Sequence, residues 1–157
     1  MFAVAVTETT LLSCHCGAVQ FELAHAPETV TECNCSFCRR VGVLWAYYTV
    51  DEVRQIGESR ATTRVTATET TGSQESGRSQ DSASREPLRE TTATQTYAWN
   101  GKHVDFHRCA TCGCLTHWVP RTDRPQRGFN ARLLDPEVLA AARLRHKDGA
   151  LTGKYLD

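Results

Sequence analysis

Eight cysteines in this 157-residue chain fall into three tight groups, and their spacing is the strongest chemical signal in the sequence. The groups span residues 14–16 (CHC), 33–38 (CNCSFC) and 109–114 (CATCGC). Thiolates separated by one or two residues can converge on one metal ion, whereas disulfides usually join distant segments. Sulfur ligands in this number favour zinc, with an iron–sulfur cluster as the alternative.

The first and third groups together could complete a closed site. Two pairs of cysteines from distant segments supply the four ligands of a tetrahedral structural zinc. We therefore predict a structural site made of Cys14, Cys16, Cys109 and Cys112. Cys114 is left over, and a simply buried thiol is the favoured interpretation over an alternative ligand or a reactive thiol.

The second group offers only three ligands, Cys33, Cys35 and Cys38. Three protein ligands leave a tetrahedral zinc with one open position for water or a substrate, which is the pattern of a catalytic site. Three thiolates outweigh the charge of one zinc ion, so Arg39 and Arg40 could compensate that charge or hold an anionic substrate. A solvated surface pair is an equally good interpretation of these arginines.

The histidines and aromatic residues give less indication of function than the cysteines do. His15 lies between two ligands and is expected to point away from the metal, and His107 lies in a predicted strand. His117 could be a proton shuttle, although a packed, hydrogen-bonded histidine is the favoured interpretation. The tryptophans and tyrosines are expected mainly in the core, with some lining a pocket.

Composition limits the remaining possibilities. The formal net charge is zero, which argues against nucleic acid or an anionic membrane as a partner. No stretch approaches the roughly 20 apolar residues of a membrane span, and no secretory signal is recognisable. A reducing, cytoplasmic setting is therefore expected, in which clustered cysteines are more often metal ligands than disulfides.

Residues 59–96 differ from the rest of the chain. These 38 residues include 16 serines and threonines and show no apolar periodicity. Such a segment cannot bury enough surface to offset the entropy of ordering, so we predict a flexible insertion within a single domain spanning residues 1–157. A hydroxyl-rich regulatory or partner-binding loop is the alternative.

The other segments predict a mostly β fold of short strands. Val19, Phe21 and Leu23 alternate with polar residues as in a half-buried strand, and residues 43–50 are rich in aromatic and β-branched residues. Asn100-Gly101 indicates a hairpin between residues 97 and 109. Further strands are expected over 115–119 and 129–134, and a short helical turn at residues 135–137.

The three cysteine groups carry a specific resemblance. SCHCGAV at 13–19, CNCSFCRR at 33–40, FHRCATCGC at 106–114 and FNAR at 129–132 resemble the glutathione-dependent formaldehyde-activating enzyme (GFA) family, whose domain also occurs in centromere protein V. The resemblance implies an Mss4-like fold of short, coiled β-sheets around two zinc ions, one structural and one catalytic. It assigns Cys33, Cys35 and Cys38 to the catalytic ion and Cys14, Cys16, Cys109 and Cys112 to the structural one.

The chemistry implied by this resemblance is a carbon–sulfur lyase reaction in the condensing direction, in which formaldehyde or another small aldehyde combines with glutathione to an S-hydroxymethyl adduct. A thiol bound to zinc loses its proton near neutral pH, and the thiolate attacks the carbonyl carbon. Candidates for holding the charged groups of glutathione, or of a related small thiol, are Arg39, Arg40, Asn130 and Arg132. The alternative is a zinc-stabilised binding or scaffold module without catalysis.

Overall fold

The computed structural model describes residues 8–58 and 93–157, and these residues form two β-sheets with little helix. One sheet has three strands in the order β1-β2-β5, and the other has seven in the order β10-β3-β4-β9-β8-β7-β6. The strands are β1 (Thr10–Ser13), β2 (Val19–Leu23), β3 (Thr29–Cys33), β4 (Leu44–Thr49), β5 (Val53–Glu58), β6 (Thr94–Tyr97), β7 (Val104–Cys109), β8 (Leu115–Pro120), β9 (Gln126–Asn130) and β10 (Arg143–Lys147). The predicted mostly β fold is confirmed.

The core lies where β2 packs against the larger sheet. Val19, Phe21 and Leu23 are fully buried, so the alternation predicted for this strand is confirmed. Phe21 meets the ring of Phe129 in an edge-on arrangement with centroids 5.1 Å apart. Strand β4 lies inside the sheet between β3 and β9, and its consecutive apolar residues match a strand covered on both faces.

The predicted hairpin is also confirmed, with a longer connection than a two-residue turn. Strands β6 and β7 pair antiparallel, and the Asn-Gly pair begins a 3-10 turn, Asn100–Lys102, between them. Residues 94–96 were expected to belong to the flexible insertion, but they form part of β6, so that boundary was wrong. Thr94 pairs with Cys109 in register, which extends the sheet to the third cysteine group. Residues 59–92 of the predicted insertion lie outside the described residues.

Two short helices complete the described structure. Helix α1 (Cys38–Val41) follows the second cysteine group, and α2 (Pro136–Ala141) begins at the predicted Asp-Pro-Glu turn. The Asp135 carboxylate caps α2 by accepting a hydrogen bond from the Glu137 amide at 2.9 Å. In the described ranges, neither helix is long and apolar enough to cross a membrane.

Strand β10 pairs parallel with β3, and Lys147 lies opposite Cys33 in the register. Residues 148–157, which we call the strap, then turn back across these two strands. Tyr155 forms an isolated bridge with Lys147, and its hydroxyl lies 3.1 Å from Thr31 Oγ1. The strap therefore covers the sheet edge that carries the second cysteine group.

Candidate metal centres

The first and third cysteine groups meet in space through two tight turns. One turn follows β1, where the Gly17 amide donates to the Cys14 carbonyl at 3.0 Å. The other joins β7 to β8, where the Gly113 amide donates to the Cys109 carbonyl at 2.9 Å. Gly17 and Gly113 have φ of 77° and 75°, a conformation that a side chain disfavours. Each turn thus contributes two thiols to one cluster.

The four thiols of these turns form what we call the four-cysteine cluster, Cys14, Cys16, Cys109 and Cys112, whose sulfurs all lie within 4.8 Å of one another. Cys16 Sγ lies 3.7 Å from Cys14 Sγ and 3.6 Å from Cys109 Sγ. A tetrahedral zinc with Zn–S bonds of about 2.3 Å needs sulfurs about 3.8 Å apart. The cluster therefore fits a four-coordinate zinc ion.

Backbone amides stabilise negative charge on this cluster. The Val19 amide donates to Cys14 Sγ at 3.3 Å. Desolvation raises the pKa of Cys112, but hydrogen bonds from the Cys114 and Cys16 amides and from the Cys109 thiol outweigh it and lower the pKa to about 6. Thiolates are the form that binds a metal, so this environment favours metal binding.

The second group forms a separate three-cysteine cluster, Cys33, Cys35 and Cys38, whose sulfurs also lie within 4.8 Å of one another. Cys33 ends β3, Cys35 lies in the following turn, and Cys38 begins α1. The Cys38 amide donates to Cys35 Sγ at 3.4 Å, which holds the turn closed. Among the described residues, no fourth histidine, cysteine or carboxylate joins this cluster.

An apolar wall lines one side of the three-cysteine cluster. Trp45 is buried and donates its indole N–H to Cys38 Sγ at 3.3 Å. The rings of Phe106 and Phe37 are tilted against each other with centroids 4.4 Å apart. Trp99 and Trp118 pack against the hydrophobic cluster that contains Cys35, Cys38, Trp45 and Phe106. A low-dielectric wall strengthens the interactions of charged sulfur with its partners.

The strap packs on the same three-cysteine cluster. A Cβ on Gly149 would lie 2.3 Å from Cys33 Sγ and 3.3 Å from Cys35 Cβ, so only glycine allows this approach. Asn34 fixes the contact, since its amide group donates to Asp148 at 3.0 Å and accepts from the Ala150 amide at 2.9 Å. The backbone of the strap thus packs directly on Cys33 and Cys35.

Within the three-cysteine cluster, the half-buried Cys33 is the thiol whose surroundings favour ionisation most. A hydrogen bond from Cys38 lowers the pKa of Cys33 to about 5, opposed by desolvation and assisted by Cys35 and the charge of Lys147. The same hydrogen bond and desolvation raise the pKa of Cys38. The fully ionised cluster needs a cation to hold three neighbouring thiolates together.

The four residues predicted to hold glutathione differ in their exposure and in their hydrogen bonds. Arg39 and Arg40 lie exposed on α1 directly after Cys38, and Arg40 donates to the Ser36 carbonyl at 2.6 Å. Asn130 is buried, donates to the Leu115 carbonyl at 2.8 Å and accepts from the Arg132 amide at 3.2 Å.

The Arg132 guanidinium donates to the Gly42 carbonyl, just beyond α1. Asn130 and Arg132 are thus engaged in binding backbone within the fold, whereas Arg39 retains an exposed charge beside the cluster.

The favoured interpretation of His117 agrees with its surroundings. Its ring is buried, lies 2.9 Å from the Thr116 hydroxyl through Nδ1, and stacks on His107 with centroids 4.3 Å apart. Desolvation, with smaller effects of His107 and Arg127, lowers its pKa well below the usual value. His117 is therefore a packed, neutral histidine. Cys114 is partly buried against the four-cysteine cluster, and it accepts a hydrogen bond from the His15 amide.

The strap and Lys147 were missed by the sequence reasoning. Residues 143–147 read RLRHK and show no apolar alternation, so no strand was predicted there. The Asp-Gly pair at 148–149, directly after a basic segment, was the available signal for a turn. Nothing in the sequence alone indicated that this turn would pack on Cys33.

Comparison with known proteins identifies one matching family model and a crystal structure of similar fold. The family model for the glutathione-dependent formaldehyde-activating enzyme matches residues 9–82, which include the first two cysteine groups. A crystal structure of a Rhodobacter sphaeroides protein is similar in fold, with a TM-score of 0.54 and 22% identity, covering 85% of this chain and 98% of the other. No curated protein matches the chain.

The third cysteine group lies outside the family match, so its link to the first group depends on the geometry described above. The match to residues 9–82 nevertheless contains the complete three-cysteine cluster and half of the four-cysteine cluster. The resemblance to the glutathione-dependent formaldehyde-activating enzyme family that the cysteine groups indicate is thereby confirmed.

Proposed function

We propose that the protein is a zinc-dependent carbon–sulfur lyase that, in the condensing direction, joins a small thiol such as glutathione to formaldehyde or another small aldehyde. The observation that carries the proposal is the difference between the two clusters. One offers four sulfurs, whereas the other offers three sulfurs in a site lined by aromatic rings and the strap. Three ligands are the usual protein contribution to a catalytic zinc.

In this proposal the protein binds two zinc ions. Cys14, Cys16, Cys109 and Cys112 hold the structural ion, and Cys33, Cys35 and Cys38 hold the catalytic one. A zinc ion in the three-cysteine cluster would supply an open coordination position that lowers the pKa of a thiol or polarises an aldehyde oxygen. Iron–sulfur chemistry is disfavoured because each group of sulfurs already matches the ligand set of a single zinc ion.

The reaction needs no oxidant or reductant. The thiolate sulfur attacks the aldehyde carbon and forms the C–S bond, the carbonyl electron pair moves to oxygen, and the proton lost by the thiol returns to that oxygen. The protein holds the three sulfurs with Asn34, the strap and the Trp45 N–H. The aromatic wall limits water at the reacting atoms.

The test combines metal content with thiol binding. We expect two zinc ions per chain, saturable glutathione binding and faster exchange between free and S-hydroxymethyl glutathione by NMR. Cys35→Ser should bind one zinc ion and lose both thiol effects. A Cys114→Ser variant is the matched control and should keep them. One zinc ion per chain with no thiol binding would instead indicate the binding-module alternative and overturn the proposal.

A further inference from the structure

We propose that Lys147 forms an anion subsite beside the three-cysteine cluster and selects thiols that carry a carboxylate. This inference rests on the proposed function, since it concerns the ligand of the same site. Lys147 lies opposite Cys33 in the parallel pairing of β10 with β3. Side chains paired in register project from the same face of a sheet, with strands about 4.8 Å apart. The Lys147 side chain therefore leaves the backbone directly beside the half-buried Cys33 and on the same face of the sheet.

The contacts of this face agree with that placement. Lys147 Nζ lies 5.8 Å from the centre of the Tyr155 ring, and Arg145 Cζ lies 3.8 Å from the same centre. The Tyr155 hydroxyl lies 3.1 Å from Thr31, the residue opposite Arg145 in the register. Tyr155 thus holds the two cations on the Cys33 side of the sheet.

Lys147 differs from its neighbours in how its charge is compensated. Arg145 contacts Asp157 at 3.9 Å, and His146 contacts Glu32 at 3.2 Å. Asp148, the nearest acid in sequence, is engaged by Asn34 and Thr152. Among residues 8–58 and 93–157, no carboxylate forms a salt bridge with Lys147. Lys147 is half-buried as a residue, and its ammonium group is therefore available to a carboxylate of the bound thiol.

This position changes the interpretation of the basic residues near the site. The sequence analysis proposed Arg39, Arg40, Asn130 and Arg132 for holding the anion. Of these, Arg39 and Arg40 follow Cys38 on α1 and are exposed. Lys147 is less exposed and lies next to Cys33 through the backbone pairing, so its interaction with an anion is screened less by solvent. A neutral thiol gains nothing from this lysine, whereas a thiol acid gains a charge-assisted contact.

The test compares two probes that differ only in charge, 3-mercaptopropionate and 3-mercaptopropionamide, titrated into the cobalt-loaded full chain and followed by the thiolate-to-cobalt absorption band. We expect the acid to bind about 5- to 10-fold tighter than the amide. Lys147→Met should remove that preference without changing amide binding, and Lys147→Arg should retain most of it. Lys154→Met, an exposed lysine on the strap, is the matched control and should behave like the parent.

Each result has a distinct meaning. Equal affinity of the parent protein for the two probes would overturn the subsite, as would a Lys147→Met variant that weakens both probes equally. Cobalt stoichiometry is measured for every variant, so that loss of the metal is not mistaken for loss of the anion contact. If neither thiol perturbs the cobalt spectrum of the parent protein, the open coordination position itself is refuted, and with it both the proposed function and the subsite.

Discussion

Replacing Gly149 by alanine should damage the three-cysteine cluster selectively. The new Cβ would lie 2.3 Å from Cys33 Sγ, whereas non-bonded carbon contacts normally require about 3.5–4.0 Å. The two atoms must therefore separate by more than about 1 Å. A metal site tolerates ligand displacements of only about 0.2 Å, so the sulfur cannot move this far and keep its metal bond.

The strap could move instead, but Asn34 resists that movement through its bonds to Asp148 and Ala150. Overpacking of this kind costs about 1–3 kcal/mol. If that cost falls on the metal-bound state, zinc affinity of the three-cysteine cluster should fall about 5- to 150-fold, while the four-cysteine cluster keeps its ion.

The assay is a competition titration of zinc against a chromophoric chelator, which resolves a tight and a weakened site in one experiment. Leu151→Ala is the matched control, because this strap side chain is 89% exposed and should leave both affinities unchanged. If Gly149→Ala retains two zinc ions with parental affinities, the close packing of the strap on Cys33 is refuted.

Three other perturbations follow from the structure. Cys112→Ser should lower the temperature of the unfolding midpoint strongly, whereas Cys35→Ser should stay folded. Calorimetry in zinc-containing buffer measures both midpoints. Equal midpoints for the two variants would contradict the division of ligands. Trp45→Phe removes the indole N–H that is bonded to Cys38, so zinc binding at the three-cysteine cluster should weaken about 10-fold or more. The same competition titration measures this affinity. An unchanged affinity would refute the role of the indole N–H in stabilising the bound metal.

His117 is neutral in the folded protein because its pKa is lowered there. In the unfolded chain it binds a proton below about pH 6.5. The free energy of unfolding should therefore fall by up to about 1.4 kcal/mol per pH unit as the pH drops below that value. Denaturant titrations should show a shallower slope for His117→Phe, and identical slopes would refute the neutral, buried state.

The closeness of the thiols within each cysteine group was predictable because the spacing of cysteines in a tight turn is a local property. The same is true of the alternation in β2 and the Asp135 cap of α2. The pairing of β10 with β3 was not predictable, since it depends on a contact across more than one hundred residues and leaves no apolar period in residues 143–147. The hydrogen bond from Asn130 to the Leu115 carbonyl was not predictable either, because the sequence does not distinguish an asparagine that binds backbone from one that binds a ligand.

The four-cysteine cluster also bears on how much the middle of the chain can vary. Cys16 Sγ and Cys109 Sγ lie 3.6 Å apart although 93 positions separate them in sequence. A metal ion that joins them closes a large loop, and the entropy of loop closure depends only on the logarithm of loop length. Shortening or lengthening that loop by a third changes the closure free energy by only about 0.4 kcal/mol. With such a metal bound, a change in the length of residues 59–92, which contain no cysteine, costs little closure free energy, so this segment is free to diverge in length while both sulfur clusters keep their ligands.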